Sequence, residues 1–164
     1  MYVIGLLFLI CSANSFQYLG DTKPLGFFDP LGFSKNKPQS ELVRLREAEL
    51  KHGRWGMVSS VAIPLTELVT HKQSIHLFDN HETLATFVYY VGLFELKTLL
   101  MGWENPSKQP FTMKSNYQPG DLGLLFLEKY DPFMLNAELN NGRLAMIGSI
   151  GMIAQELATN KPIF

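Results

Sequence analysis

Apolar positions fall into a few long blocks separated by polar, proline-bearing stretches. The first block, Tyr2-Val3-Ile4-Gly5-Leu6-Leu7-Phe8-Leu9-Ile10-Cys11, is continuous but too short to span a bilayer. Ser12-Ala13-Asn14-Ser15 and Phe16 follow, the layout of a signal core and cleavage zone, though without a basic stretch in front. Residues 1–20 are read as a targeting segment; the alternative is an N-terminal helix that stays on the mature chain. Residues 21–39 are rich in Gly, Pro, Lys and Asp and read as loop.

Three long helices are expected after that. Ser40 is an acceptable N-cap ahead of Glu41, and Glu41 to about Thr70 reads as one helix, charged in its first half and apolar from Trp55 to Val69. Pro64 falls inside it, which in a membrane helix means a kink and not necessarily an end. His71 to about Glu82 is polar. Leu84 to Trp103 is a 20-residue apolar segment, long enough to cross the hydrocarbon core and interrupted only by Glu95 and Lys97. The stretch Glu104–Asp131 carries Pro106, Pro110 and Pro119 and reads as loop. The third helix is expected from about Phe133 to Thr159, where Gly148 and Gly151 would let membrane helices approach closely.

Lys and Arg are unevenly placed. Lys23, Lys35, Lys37, Arg44, Arg46 and Lys51 precede the first apolar zone, and Lys108, Lys114 and Lys129 lie between helices two and three. The other two ends hold only Lys72 and Lys161. Three crossings put the N-terminal side and the long loop on one positive face; two crossings would not. Composition agrees: of 164 residues, 46% are hydrophobic and only 18% charged, below the usual charge of soluble domains. A net charge of -1 with no basic run gives no footprint for nucleic acid. The single cysteine, Cys11, excludes an internal disulfide framework and a cysteine metal cluster. No nucleophile–base pair, phosphate loop or redox motif supports an enzyme.

The sharpest feature is an internal repeat. Ala48-Glu49-Leu50-Lys51-His52-Gly53-Arg54-Trp55-Gly56-Met57 matches Ala137-Glu138-Leu139-Asn140-Asn141-Gly142-Arg143-Leu144-Ala145-Met146 at six of ten positions, 89 residues apart. Two helices related by an approximate two-fold axis are implied. Glu49 shares a helix face with His52, and Glu138 with Asn141. Each Arg lies about 140° around the helix from the Glu five before it. It therefore pairs more easily across the crossing: Glu49 with Arg143, and Glu138 with Arg54. His52, Asn141 and the second oxygen of each Glu then face outward with free lone pairs. A magnesium ion held in a tetrapyrrole, with an open axial position, is a partner for such N and O donors. Gln155, 14 residues beyond Asn141, lies near the same face. Glu95 is a further donor of this type, unless it pairs with Lys97 or is protonated. Two ion pairs that merely hold a bundle together are the plainer alternative. His71, His76 and His81, spaced by five, do not share a face and read as solvated loop residues.

These residues resemble the light-harvesting chlorophyll-binding protein family. Glu-x-x-His-x-Arg on the first helix and Glu-x-x-Asn-x-Arg on the third are its signature, and the likeness runs from about Gly26 to Pro162. Phe28-Asp29-Pro30-Leu31-Gly32 and Pro119-Gly120-Asp121-Leu122-Gly123 are similar to its two loop motifs, which cradle carotenoid end groups. Ala154-Gln155-Glu156-Leu157 resembles the red-algal-lineage branch, often associated with photosystem I. The resemblance implies an all-α membrane domain over residues 21–164, with three transmembrane helices and the first and third crossed. It implies axial ligands to chlorophyll magnesium at Glu49, His52, Glu95, Glu138, Asn141 and Gln155, ion-pairing roles for Arg54 and Arg143, and carotenoid-loop roles for Asp29 and Asp121. Chlorophyll a, a second chlorophyll (b or c) and carotenoids such as xanthophylls would be the cofactors. A photosystem core, neighbouring antenna subunits and thylakoid lipids would be the partners, in a multi-pass chloroplast location. Phe87 departs from the family, standing where many members have a second polar ligand. The short fourth helix of plant members is not seen after the third, and Asp131-Pro132 falls where many members have only helix, which implies a different entry to the third helix. Within the resemblance, a quencher sensing acidity through Glu67, Asp79 and Glu82 is an alternative to an antenna; a pigment-poor membrane scaffold is another.

Overall fold

The computed structural model describes residues 26, 28–105, 107, 111–114, 117–123 and 132–163. The expected targeting segment, residues 1–20, lies outside them, as does most of the second half of the long loop. Three long helices are present: α1 (Gln39–Thr70), α2 (His81–Gly102) and α3 (Pro132–Thr159). A short 3₁₀ turn, Ser74–Phe78, sits between α1 and α2. Among the described residues there is no strand; Trp103 and Met113 form one isolated antiparallel bridge.

The helix ends follow local chemistry. α1 starts at Gln39 behind Pro38, one residue ahead of the expected Ser40 cap, and no side chain caps it. It runs 32 residues, about 48 Å, without a break at Pro64. It ends where His71 turns left-handed (φ 53°) and its N–H closes on the Glu67 carbonyl at 2.8 Å. α2 begins three residues before the expected Leu84, because Asn80 Oδ1 accepts the Glu82 N–H at 3.1 Å. His81 is therefore helical and not a loop residue. Its far end is closed by the ammonium of Lys114, 2.9 Å from the carbonyls of Leu100 and Met101. α3 opens on Pro132, which suits a first helical turn because that amide has no intrahelical acceptor anyway.

α1 and α3 form the main packing unit. They cross where glycine meets glycine: a Cβ on Gly53 would lie 3.1 Å from Gly142 Cα, and one on Gly56 2.8 Å from the Met146 nitrogen. Gly148 and Gly151, expected to permit the approach, have nothing within 4 Å of their Cβ positions. The crossing lies one to two turns earlier, within the repeated motif itself. There the Ser149 hydroxyl shares its hydrogen between the Gly56 carbonyl at 3.0 Å and the Ala145 carbonyl at 2.8 Å.

The opposite end of the pair is tied by two buried acids. Glu156 on α3 accepts the Ser74 hydroxyl at 2.5 Å and the Ile75 N–H at 3.1 Å, in the segment after α1. Glu67 on α1 accepts the Ile163 N–H at 2.7 Å, in the segment after α3. These two acids are also 89 residues apart, and each holds the chain that follows the other helix.

The apolar side chains are placed unlike those of a soluble bundle. Among the described residues only Leu50, Ile63, Met113 and Leu139 are buried hydrophobics, whereas Glu47, Glu67, Thr98, Ser149 and Glu156 are buried polar ones. Val61, Leu65, Leu144, Ile147 and Ile150 are all exposed. An apolar surface of this extent needs a covering. Among the described residues α2 alone is long and apolar enough to cross a membrane by length and composition, and just 6% of its most apolar window is buried.

Candidate functional site

The repeated motifs meet at the crossing. Arg54 Nε donates to Glu138 Oε1 at 2.6 Å, and its Nη2 to the Gly120 carbonyl at 2.8 Å. Arg143 grips Glu49 Oε1 with Nε at 2.8 Å and Nη2 at 2.7 Å. Both pairs run between the helices, as the geometry of the motif requires. One expectation fails: the second oxygen of Glu49 is taken, because Arg46 Nη1 donates to Oε2 at 2.9 Å. Arg46 lies three residues before Glu49 and so shares its face, a spacing legible in the sequence. Its counterpart in the repeat is Leu135, and Glu138 Oε2 accordingly has no partner among the described residues. The two sites are thus chemically unequal despite the repeat.

His52 is exposed, and its Nδ1 stands 2.7 Å from the Ala48 carbonyl. A carbonyl can only accept, so Nδ1 carries the proton. That fixes the neutral tautomer and leaves the Nε2 lone pair for a metal. Asn141 and Gln155 are also exposed. Glu95 does not take the alternative of pairing with Lys97: its Oε2 accepts Lys51 Nζ from α1 at 2.6 Å.

The two loop motifs are both turns tied by aspartate. Asp29 accepts the Phe33 N–H at 2.9 Å, the Ser34 N–H at 2.8 Å and the Ser34 hydroxyl at 2.5 Å. The Ser34 hydroxyl and amide hold its carboxyl below the usual value. Phe28, Leu31 and Phe33 around it are left exposed, an apolar rim. Asp121 accepts the Gly123 N–H at 2.7 Å. Gly120, at φ 85°, is clamped on both sides by α1: its N–H goes to Glu47 at 2.7 Å and its carbonyl to Arg54. Tyr117 donates toward Glu47 at 3.3 Å and the Asp121 carbonyl at 3.1 Å; burial first, and then the Glu47 carboxylate, push its phenol well above the usual range.

Sequence reasoning missed Glu47, Lys51, Glu156 and the full reach of the repeat. Continuing the same offset pairs Ser60 with Ser149, Glu67-Leu68 with Glu156-Leu157, Thr70 with Thr159 and Lys72 with Lys161. His71 and Asn160 also correspond, and both are left-handed, at φ 53° and 50°. Of the proposed acid sensors, Glu67 is buried with Oε1 unpartnered, and Asp79 pairs with His76 at 2.9 Å. Glu82 lines a cavity of about 930 Å³ between α1, the 3₁₀ turn and α2. Trp55 and Phe87 also line it and meet edge to face at 6.1 Å, so Phe87 supplies an aromatic wall where a polar ligand was sought.

Comparison with known proteins agrees with these motifs. The sequence pattern of a family described as "Chlorophyll A-B binding protein" matches residues 16–157. The chain is 37% identical over 155 residues to a fucoxanthin-chlorophyll a-c binding protein of Isochrysis galbana, covering 84% of this chain and 74% of that one. It is 34% identical over 170 residues to light-harvesting complex stress-related protein 3.2 of Chlamydomonas reinhardtii, covering 88% of this chain and 64% of that one. It is 29% identical to fucoxanthin-chlorophyll a-c binding protein E of Macrocystis pyrifera, with 88% and 75% covered. All three relatives are named chloroplastic. The chain spans somewhat under two thirds of the stress-related relative's length.

Proposed function

The chain belongs to the chlorophyll A-B binding family of light-harvesting proteins, which are not enzymes, and from that premise we propose that it is a thylakoid antenna protein passing excitation energy to a photosystem, by its third-helix run photosystem I. Residues 21–164 form one pigment-binding domain that crosses the membrane three times, with α1 and α3 related by a pseudo-two-fold axis. Supporting this, each acid at the crossing holds a guanidinium of the other helix, Glu49 a second one from Arg46, and reciprocal ties through Glu67 and Glu156 join the opposite end. An apolar environment demands such pairing.

The observation that carries the reading is what the ion pairs leave outward: the Nε2 lone pair of His52, the exposed Asn141 and Gln155, and Glu138 Oε2. These are neutral or charge-compensated N and O donors, which fit axial ligation of chlorophyll magnesium. His52, Glu95, Glu138, Asn141 and Gln155 are the proposed ligands, and Glu49 would join them only through the remaining lone pair of the Oε2 that also holds Arg46. Asp29 and Asp121 shape the turns that would receive carotenoid ends. When bound, chlorophylls supply absorption and excitation transfer, and carotenoids add absorption and quench triplets. The residues' own contribution is rigidity: guanidinium–carboxylate pairs and glycine contacts fix the ligand-bearing helices relative to each other. The names of the relatives favour chlorophyll a with chlorophyll c, and a fucoxanthin-type carotenoid. Neighbouring antenna subunits and thylakoid lipids would cover the exposed apolar faces.

A photoprotective quencher is the second reading, favoured by the stress-related relative and by the buried Glu67 with its unpartnered oxygen. Gentle purification, pigment counting and fluorescence lifetimes at neutral and acid pH test both. Several chlorophylls per chain with a long, pH-insensitive lifetime is the expected result. A lifetime that shortens on acidification transfers the case to the quencher, and absence of stoichiometric pigment refutes both.

A further inference from the structure

Lys51 is the fourth residue of the first motif, and its counterpart 89 positions on is the uncharged Asn140. Glu49, Gly53 and Arg54, which meet α3, have identical counterparts, whereas Lys51 differs because it meets another neighbour. That neighbour is α2. Lys51 Nζ reaches across to donate to Glu95 Oε2 at 2.6 Å and to the Thr98 hydroxyl at 2.9 Å. Thr98 is buried, but the Glu95 side chain is 34% exposed, and its Oε1 has no hydrogen-bond partner among the described residues.

The helix's own residues do not provide this counter-charge. Thr98 occupies the position one turn on from which a cation of α2 could reach Glu95. Lys97, two residues on, points to another face. Glu47 is the other acid beside Lys51, at 3.9 Å, but its oxygens accept the Gly120 N–H at 2.7 Å and the Tyr117 hydroxyl at 3.3 Å. Lys51 is therefore committed chiefly to Glu95.

We propose that Lys51 is a positioning residue for a chlorophyll on α2: it neutralises Glu95 through Oε2 and leaves Oε1 outward as an axial magnesium ligand with no net charge. This rests on the antenna reading. Arg54 does the same for Glu138, taking Oε1 and leaving Oε2. A lone carboxylate in an apolar zone carries a desolvation cost that a paired cation offsets. The third neutralised acid thus draws its cation from a neighbouring helix, as the two at the crossing do.

The experiment refolds the full chain with a chlorophyll–carotenoid extract and counts chlorophylls per polypeptide, with absorption difference spectra to identify the pigment lost. Lys51→Met loses one chlorophyll per chain, and Lys51→Arg keeps it. Glu95→Ala loses the same pigment. The double variant Lys51→Met/Glu95→Gln regains it, because a neutral amide needs no counter-charge. A simple interhelix tether predicts the opposite, since the double variant still lacks the link. Full occupancy in Lys51→Met, or no recovery in the double variant, overturns the proposal while leaving the antenna reading intact. If Lys51→Met does not refold, recovery of folding and pigment in the double variant supports the proposal and failure there overturns it. A wild-type chain that takes up no chlorophyll overturns both.

Discussion

Replacing Gly56 by alanine puts a methyl carbon 2.8 Å from the Met146 nitrogen, 2.9 Å from its Cγ and 3.0 Å from its Cα. Two of those atoms are backbone, so no side-chain rotation relieves the clash and α1 must move away from α3. Movement there also stretches Arg54–Glu138 and Arg143–Glu49, now at 2.6 and 2.7 Å. Overpacking costs about 1–3 kcal/mol, and the backbone contacts place this case at the upper end. Alanine returns about 1 kcal/mol of helix propensity, so the net loss is about 2 kcal/mol. For a chain of this size that lowers the melting midpoint by roughly 4–8 °C. Gly92→Ala is the control, because nothing lies within 4 Å of its Cβ position and only the propensity gain remains. The assay is loss of pigment circular dichroism on heating of the refolded protein. A Gly56→Ala midpoint at or above the wild type would refute the close approach of the two helices.

Arg54→Met strips Glu138 of its guanidinium and the Gly120 carbonyl of its donor, at a cost of about 3 kcal/mol for a half-buried pair. Adding Glu138→Met should recover much of that in a thermal double-mutant cycle, and strict additivity would exclude the pairing. His52→Leu should lose one chlorophyll with helix content unchanged by far-UV circular dichroism; unchanged stoichiometry removes His52 from the ligands. Asp29 has a folded pKa below its ordinary value of 3.8, so its contribution is complete above that value and fades as pH falls through the lower folded one. Amide-exchange protection of Phe33 and Ser34 should therefore drop on acidification below 3.8 in the wild type but stay flat in Asp29→Asn. An equal drop in both would assign the loss to other groups.

Much of the α1–α3 architecture was legible because the motif is local and occurs twice. A Glu and an Arg five apart cannot meet on one helix, so the second copy names the partner. Arg46 is equally readable from its three-residue spacing to Glu49, but its counterpart in the repeat is the uncharged Leu135, so the symmetry of the motif does not signal it. Gly148 and Gly151 misled because a small residue in an apolar helix says that approach is possible, not where it happens. The buried acids Glu67 and Glu156 were signalled by the continued 89-residue offset. Their acceptor role was not, because each holds a backbone N–H in a segment of no marked pattern.

The sequence by itself determined the three helices, their caps to within a few residues, and the identity of the reciprocal ion pairs. Helix geometry is set by neighbours within about one turn, so spacing alone fixes which side chains share a face. Only the tertiary structure decided which glycines touch, which oxygen of each carboxylate is left outward, and that Glu95 draws its cation from Lys51 and not from Lys97. Those outcomes depend on the distance and rotation between helices far apart in the chain. A shift of a few ångströms, which no local pattern encodes, makes or breaks each of them.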